Sequence, residues 1–180
     1  MRIISGKYKS RKIPDTWLRH TRPTTDFART GLFSMMEHRL NVEGTHALDL
    51  FAGTGSIGFE LLSRGCERVT MLDSDKRSIL HLKKTAEMFE EENAVIIHSE
   101  AFRFLKTCQP VYDLVFADPP FDFGYELYEK LIELVMEKSF TQNGLFVLEH
   151  QATDKFEEQK YFTESRRFGN VAFSFFAQTK

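Results

Sequence analysis

At 180 residues the chain can bury one sizeable core but is too short for two comfortable domains. Its 24 Lys and Arg nearly balance 26 Asp and Glu, no apolar run approaches the roughly 18 residues of a membrane helix, and the charged N-terminus has no apolar leader, so neither a membrane span nor secretion is expected. Cys66 and Cys108 stand far apart without metal-ligand spacing, and the histidines are scattered, which points to reduced thiols, no metal site and a cytoplasmic protein.

The near-neutral total hides an asymmetry. Residues 1–30 carry eight basic side chains (Arg2, Lys7, Lys9, Arg11, Lys12, Arg19, Arg22 and Arg29) against Asp15 and Asp26, a net +6, which leaves −8 for the remainder. Basic side chains gathered at one end can neutralise phosphates and release counterions, a salt-sensitive source of RNA affinity that does not read sequence. The ordinary alternative is a solvated basic segment. Ile3, Ile4, Tyr8, Ile13 and Trp17 favour a folded β-hairpin appended to the core. The expected division is therefore a basic extension over residues 1–30 and a main domain over 31–180.

Along the main domain, short apolar strands alternate with helical segments, the pattern of a parallel sheet covered on both faces. His46-Ala-Leu-Asp-Leu-Phe-Ala-Gly-Thr-Gly-Ser-Ile-Gly58 reads as a strand running into a glycine-rich turn and then a helix through Phe59, Leu61 and Leu62. Glycine there permits backbone angles and close approaches that a Cβ would block, and the helix start offers free N–H groups. A lone glycine-rich turn is weak evidence. This one, however, places Asp49 at the strand end, where a carboxylate repels a pyrophosphate and suits an ammonium group. S-adenosylmethionine, with an ammonium, a sulfonium and no phosphate, fits better than NAD.

Arg68-Val-Thr-Met-Leu-Asp-Ser-Asp75 is the next strand, with Asp73 placed to hold ribose hydroxyls and Asp75 better read as the cap of a helix from Lys76 to about Phe89. A third strand, Ala94 to His98, delivers Glu100, Ala101 and Phe102 to the same edge. Glu100 there suits the adenine amine and Phe102 its face, although a helix cap and a core ring explain the two residues equally well. The fourth strand, from Asp113, ends abruptly in Asp118-Pro119-Pro120-Phe121. Two prolines cannot continue a central strand, so they leave the sheet in a rigid, extended shape that aims Asp118, two carbonyls and the Phe121 ring. Acceptors beside an aromatic ring suit the exocyclic amine and flat face of a nucleobase. Helical spacing follows from Tyr125 to Lys138, then a fifth strand from Gly144 to Glu149. Lys160–Arg167 and Val171–Phe176 flank Gly169-Asn170 as an antiparallel hairpin.

This order of elements resembles a class I S-adenosylmethionine-dependent methyltransferase acting on a base amine. The N-terminal run Arg2-Ile-Ile-Ser-Gly-Lys-Tyr-Lys-Ser-Arg-Lys-Ile-Pro14, then Arg22-Pro-Thr-Thr-Asp26 and Arg29-x-x-Leu-Phe33, resembles the bacterial RsmD family, which methylates the exocyclic amine of a guanine in 16S ribosomal RNA. The resemblance spans nearly the whole chain. It departs at Arg29-Thr30, where the family usually has a glutamate after the basic residue, so no role of that glutamate carries over.

The resemblance implies a Rossmann-like, seven-stranded, mostly parallel α/β sheet with a C-terminal antiparallel hairpin. It also implies that Asp49, Phe51, Ala52, Gly53, Thr54, Gly55, Asp73, Ser74, Glu100, Ala101, Phe102 and Asp118 surround S-adenosylmethionine, which leaves as S-adenosylhomocysteine. Asp118, Pro119, Pro120 and Phe121 would hold the base. Arg2, Lys7, Lys9, Arg11, Lys12, Arg22, Thr24, Thr25 and Arg29 would meet 16S RNA or a partly assembled small subunit. No metal or membrane is expected, and nothing in the pattern demands more than a monomer. The competing readings are an amine methyltransferase acting on adenine in DNA or RNA or on a protein glutamine, and a non-catalytic RNA-binding assembly factor.

Overall fold

The structure, a computed structural model, describes residues 1–14, 25–107, 111–120, 123–138 and 140–178. Its elements are α1 (Asp26–Glu37), β1 (His46–Asp49), α2 (Ser56–Ser63), β2 (Arg68–Asp73), α3 (Lys76–Phe89), β3 (Ala94–His98), α4 (Ala101–Thr107), β4 (Tyr112–Ala117), α5 (Tyr125–Lys138), β5 (Phe140–Gln151), β6 (Phe162–Phe168) and β7 (Val171–Ala177). The seven strands form one sheet in the order β3-β2-β1-β4-β5-β7-β6. The first five neighbours run parallel, and β7 lies antiparallel between β5 and β6.

The central strands read as continuous apolar runs because both faces of the sheet are buried. Helices α1, α2 and α3 cover one face through residues such as Leu32, Phe33, Phe59, Leu62 and Leu82. Helices α4 and α5 cover the other through Leu105, Tyr128, Leu131, Ile132 and Val135. Two strands start two residues or more away from expectation. Tyr161 has a left-handed φ of 72°, which breaks an extended backbone, so β6 starts at Phe162 and not at Lys160. In β5 the register slips between Tyr112↔Phe140 and Leu114↔Leu145, an irregularity that lets the strand begin before Gly144. Among the described residues no helix is long and apolar enough to cross a membrane.

The N-terminal segment is tied into the same core. Its hairpin reduces to one antiparallel bridge, Arg2↔Lys12, while Ile3, Tyr8 and Ile13 are buried against α1, α2 and α3. The boundary expected between residues 30 and 31 falls inside α1. Glu60, fully enclosed on α2, accepts from the N–H groups of Ile4 (2.6 Å) and Ser5 (2.9 Å). Buried Glu91 takes the Tyr8 hydroxyl at 2.9 Å and the Lys7 ammonium at 2.7 Å. On α1, Arg29 donates to the Arg2 carbonyl and to Asp26, both at 2.8 Å.

Strand direction fixes two ends. Asp49 and Asp73 close β1 and β2 at the carboxyl edge of the sheet, and Asp118 follows directly on β4. Helix α3 starts from that edge and runs back, so Phe89 and Glu91 lie at the amino edge, and with them Lys7 and Tyr8.

Candidate active site

The chain order of strands reverses between β1 and β4, which opens a crevice at their carboxyl ends. Asp49 stands at that point with its side chain buried. Its Oδ1 has no hydrogen-bond partner among the described residues. Burial, then the neighbouring charges of Asp118 and Asp73, push its carboxyl up to about 8, against the backbone N–H groups of Gly58 and Phe51, which favour the ionised form. An enclosed, unsatisfied acceptor between two other carboxylates is suited to a cation.

The turn after Asp49 is shaped by packing as well as by backbone freedom. Gly53 (φ +51°) and Gly55 (φ +79°) are both left-handed, but a Cβ on Gly55 would lie 2.6 Å from Leu82 and Phe59, whereas one on Gly53 would meet only the Phe51 carbonyl, at 3.9 Å. A Cβ on Gly58 would come within 2.4 Å of Met71 Sδ, so glycine there lets α2 close onto β2. The Ala52 N–H donates to Leu72 O at 2.8 Å. Thr54 is half-buried, and its backbone is hydrogen-bonded to His81.

Asp73 is committed to this turn. One oxygen accepts from Gly53 N and the other from Asp75 N, each at 2.8 Å. The outer lone pairs of the half-buried carboxylate are what remain for ribose hydroxyls. Ser74 is exposed, with its carbonyl 3.0 Å from His98 Nε2. Asp75 caps α3 by accepting from Arg77 N at 2.8 Å, as expected. Glu100 is exposed just before α4, Ala101 is buried, and half-buried Phe102 carries Phe123 parallel on one face at 5.8 Å. Phe51 meets Phe123 edge-on at 5.8 Å. Phe123 thus joins Phe51 and Phe102, the two rings that sequence reading placed at the cofactor; the alternation Phe121-Asp-Phe123 was the available signal.

Asp118 follows β4 directly, and burial pushes its carboxyl up to about 7. Pro119 is buried and Pro120 exposed, with the Pro120 carbonyl accepting from Phe123 N at 3.0 Å. Phe121 lies outside the described residues. Asp49, Asp73, Glu100 and Asp118 therefore sit at or just beyond the ends of four neighbouring strands, on one edge. No group of three or more His, Cys, Asp or Glu among the described residues could hold a metal ion.

The basic residues scatter more widely than their sequence clustering suggests. Arg2, Lys9 and Lys12 are exposed, and Arg2 lies 3.7 Å from Asp26 at the start of α1. Lys7 serves Glu91 at the amino edge. Arg11 packs over Tyr8 and Phe89 and donates to Met88 O at 2.7 Å. One expectation is corrected: Arg29 is fully enclosed and so is not a phosphate contact. Thr25 is exposed, and its hydroxyl caps α1 by accepting from Ala28 N at 3.2 Å. Arg22 and Thr24 lie outside the described residues.

A family model described as conserved hypothetical protein 95 matches residues 1–177. Ribosomal RNA small subunit methyltransferase D of Haemophilus influenzae is 36% identical over 159 residues, covering 86% of this chain and 80% of that protein. The solved structure of yhhF from Escherichia coli superposes with a TM-score of 0.84 at 30% identity, covering 99% of both chains. The T. thermophilus 16S rRNA N2 methyltransferase RsmC, solved with AdoMet and guanosine, shares the fold at a TM-score of 0.71 and 23% identity, over 88% of this chain and 45% of that one.

Proposed function

The chain belongs to the conserved hypothetical protein 95 family, and on that premise we propose that it transfers a methyl group from S-adenosylmethionine to the exocyclic amine of a guanine in 16S ribosomal RNA. The observation that carries this reading is the pairing of two carboxylates at the reversal point of the sheet: buried Asp49, with an unsatisfied oxygen, and half-buried Asp118, on a rigid Pro-Pro exit. When bound, the cofactor supplies an electrophilic methyl group on a sulfonium.

The residues fit that group. Asp49 meets the ammonium, the open side of Gly53 admits a close backbone approach, Asp73 takes ribose hydroxyls and Glu100 the adenine amine. Phe51, Phe102 and Phe123 form an apolar wall nearby.

Asp118 and the Pro119 carbonyl accept the two N–H bonds of the target amine. A guanine amine is a poor nucleophile because its lone pair is delocalised into the ring. Two acceptors in fixed directions favour a pyramidal nitrogen whose lone pair points at the methyl carbon, so orientation and electrostatics supply the gain. The ionised form of Asp118 is the stronger acceptor and offsets the positive charge the nitrogen gains. Phe121 stacks on the base, which has to be unstacked from its RNA context.

RNA affinity falls to the exposed Arg2, Lys9 and Lys12 and to the segment bearing Arg22 and Thr24. The protein acts as a monomer in the cytoplasm, where its substrate is assembled.

The test is methyl transfer from labelled S-adenosylmethionine to 16S RNA and to small subunits lacking their own modification, with the labelled nucleoside identified by mass spectrometry. Guanosine labelled on its exocyclic amine is the expected product. Labelled adenosine moves the protein to the adenine class, and absence of label on every substrate despite cofactor binding overturns the catalytic reading.

A further inference from the structure

The most exposed large apolar side chain among the described residues has no part in the site described above. Phe27, on the first turn of α1, is 75% exposed. Its position follows from strand direction: β7 pairs antiparallel with β5 through Gln151↔Val171, and β6 pairs with β7 through Phe168↔Val171. Phe168 is therefore level with the carboxyl end of β5. Phe27 meets Phe168 edge-on at 5.8 Å, while Arg39, just past the far end of α1, reaches Glu164 earlier on β6. Helix α1 thus runs antiparallel to β6 and presents Phe27 on the edge that carries Asp49 and Asp118.

The local packing holds this arrangement. A Cβ on Gly31, one turn after Phe27, would lie 2.2 Å from the Phe168 ring, so the missing side chain is what seats that ring against α1. Phe168 also packs on Phe173, 5.7 Å away in the core. The seated ring supports Phe27 from one side while most of the Phe27 side chain stays open to solvent. Arg166, two residues before Phe168 on the same side of β6, is exposed and makes no ion pair among the described residues. Arg2 lies at the start of the same helix through its pair with Asp26.

We propose that Phe27, supported by Phe168 and flanked by Arg166, is a stacking platform for an unpaired RNA base near the target guanine. The inference rests on the methyltransferase reading for its substrate. Strand order puts β3, β2 and β1 on the cofactor side of Asp118, and β5, β7 and β6 on the other, the side left for the nucleic acid. A base unstacked for reaction leaves neighbours that have lost a stacking partner, and a rigidly held ring replaces it at low entropic cost. Exposed Arg166, two residues from the supporting Phe168 on β6, suits the accompanying phosphate, and this charge favours RNA over an apolar protein partner. Aromatic stacking tolerates any base, so the platform adds affinity and positioning without reading sequence.

The test compares wild-type protein with Phe27→Ala, Phe27→Trp and Arg166→Glu. Readouts are filter binding to unmodified 16S RNA, the steady-state split of KM and kcat on small subunits, and S-adenosylmethionine affinity by calorimetry. Phe27→Ala is expected to weaken RNA binding and raise KM by about ten-fold, the effect of removing one base-stacking ring, while kcat and cofactor affinity stay at wild-type values. Phe27→Trp should restore binding. Arg166→Glu should lower affinity and flatten its dependence on salt. Unchanged RNA affinity in Phe27→Ala overturns the platform, as does a loss of cofactor affinity in step with RNA binding, which marks a folding defect. A raised KM on subunits with unchanged affinity for naked RNA also overturns it, in favour of a protein contact. If wild-type protein binds 16S RNA but transfers no methyl group, the enzymatic reading fails while the binding comparison still decides the platform.

Discussion

Buried charge is handled in opposite ways at the two edges of the sheet. At the amino edge Glu91 is nearly enclosed, yet its carboxyl is held below the usual range. Burial pushes it up, but the Lys7 ammonium, the Asn93 N–H and the Tyr8 hydroxyl together outweigh that cost. At the carboxyl edge Asp49 has burial and two like charges acting in the same direction, and its carboxyl rises to about 8. A buried acid with every partner in place holds chain segments together. One with an empty lone pair and acidic neighbours is unfavourable in the free protein, and such sites are where ligands bind. The comparison separates scaffold from site without reference to any motif.

The sharpest way to break it is at Asp118. Asp118→Ala removes an acceptor aimed at the reacting amine, so single-turnover methyl transfer should fall by about 100-fold or more, while S-adenosylmethionine affinity changes far less. Transfer at the wild-type rate would remove Asp118 from the chemistry. On the scaffold side, Glu60→Ala strips the acceptor from Ile4 N and Ser5 N and leaves the Arg64 guanidinium, 2.8 Å away, with Glu37 in place of its enclosed partner. Breaking a buried pair in this way should cost about 3 kcal/mol, read as a lower denaturant midpoint at unchanged slope. A loss under 1 kcal/mol would mean that residues 1–14 are not held through α2.

The acids at the carboxyl edge also predict a pH dependence whose sign differs from that of a salt-bridged carboxylate. Because the folded-state value for Asp49 is raised, the native protein binds more protons than the unfolded chain between about pH 4 and about pH 8. This group therefore contributes a stability that is lost as pH rises through that window. Cation binding favours the ionised form, so cofactor uptake below about pH 8 releases a proton, and affinity should increase from pH 6 to pH 8. Calorimetry in buffers of different ionisation enthalpy measures the release directly. Asp49→Asn should flatten both dependences. An affinity indifferent to pH over that range means that Asp49 is already ionised in the free protein.

Much of the carboxyl edge was legible in the sequence because each strand there ends in residues that break a strand for a recognisable reason: an acid and glycines after β1, acids after β2, two prolines after β4. Those signals are local, and the parallel sheet collects them automatically. Attachment of the N-terminal segment was not legible. Glu60 is an acid within a helix and Glu91 the middle of three glutamates just past one, patterns indistinguishable from a solvated face, and their partners in the N-terminal segment lie 55 or more residues away. Counting charge over residues 1–30 gave Lys7 and Arg29 the same status as Arg2, although one serves the amino edge and another is enclosed. Phe27 was passed over for a related reason, since nothing in a helical sequence says which aromatic faces water.

The smallest expected effect tests that last distinction most cleanly. Tyr8→Phe removes a single hydroxyl from Glu91 and keeps the ring against Phe89, 4.9 Å away. Glu91 retains Lys7 and Asn93, so the lost bond should cost about 1 kcal/mol of stability. Lys7→Ala should do a little more, because it leaves the enclosed Glu91 without its cation. Neither variant should alter affinity for 16S RNA or its salt slope, since both sit at the edge opposite the active site. If Lys7→Ala instead reduced the salt slope by about one, Lys7 would be neutralising a phosphate. The RNA would then have to reach from the carboxyl edge around α2 and α3 to the amino edge, and the division of labour between the two ends of the sheet would fail.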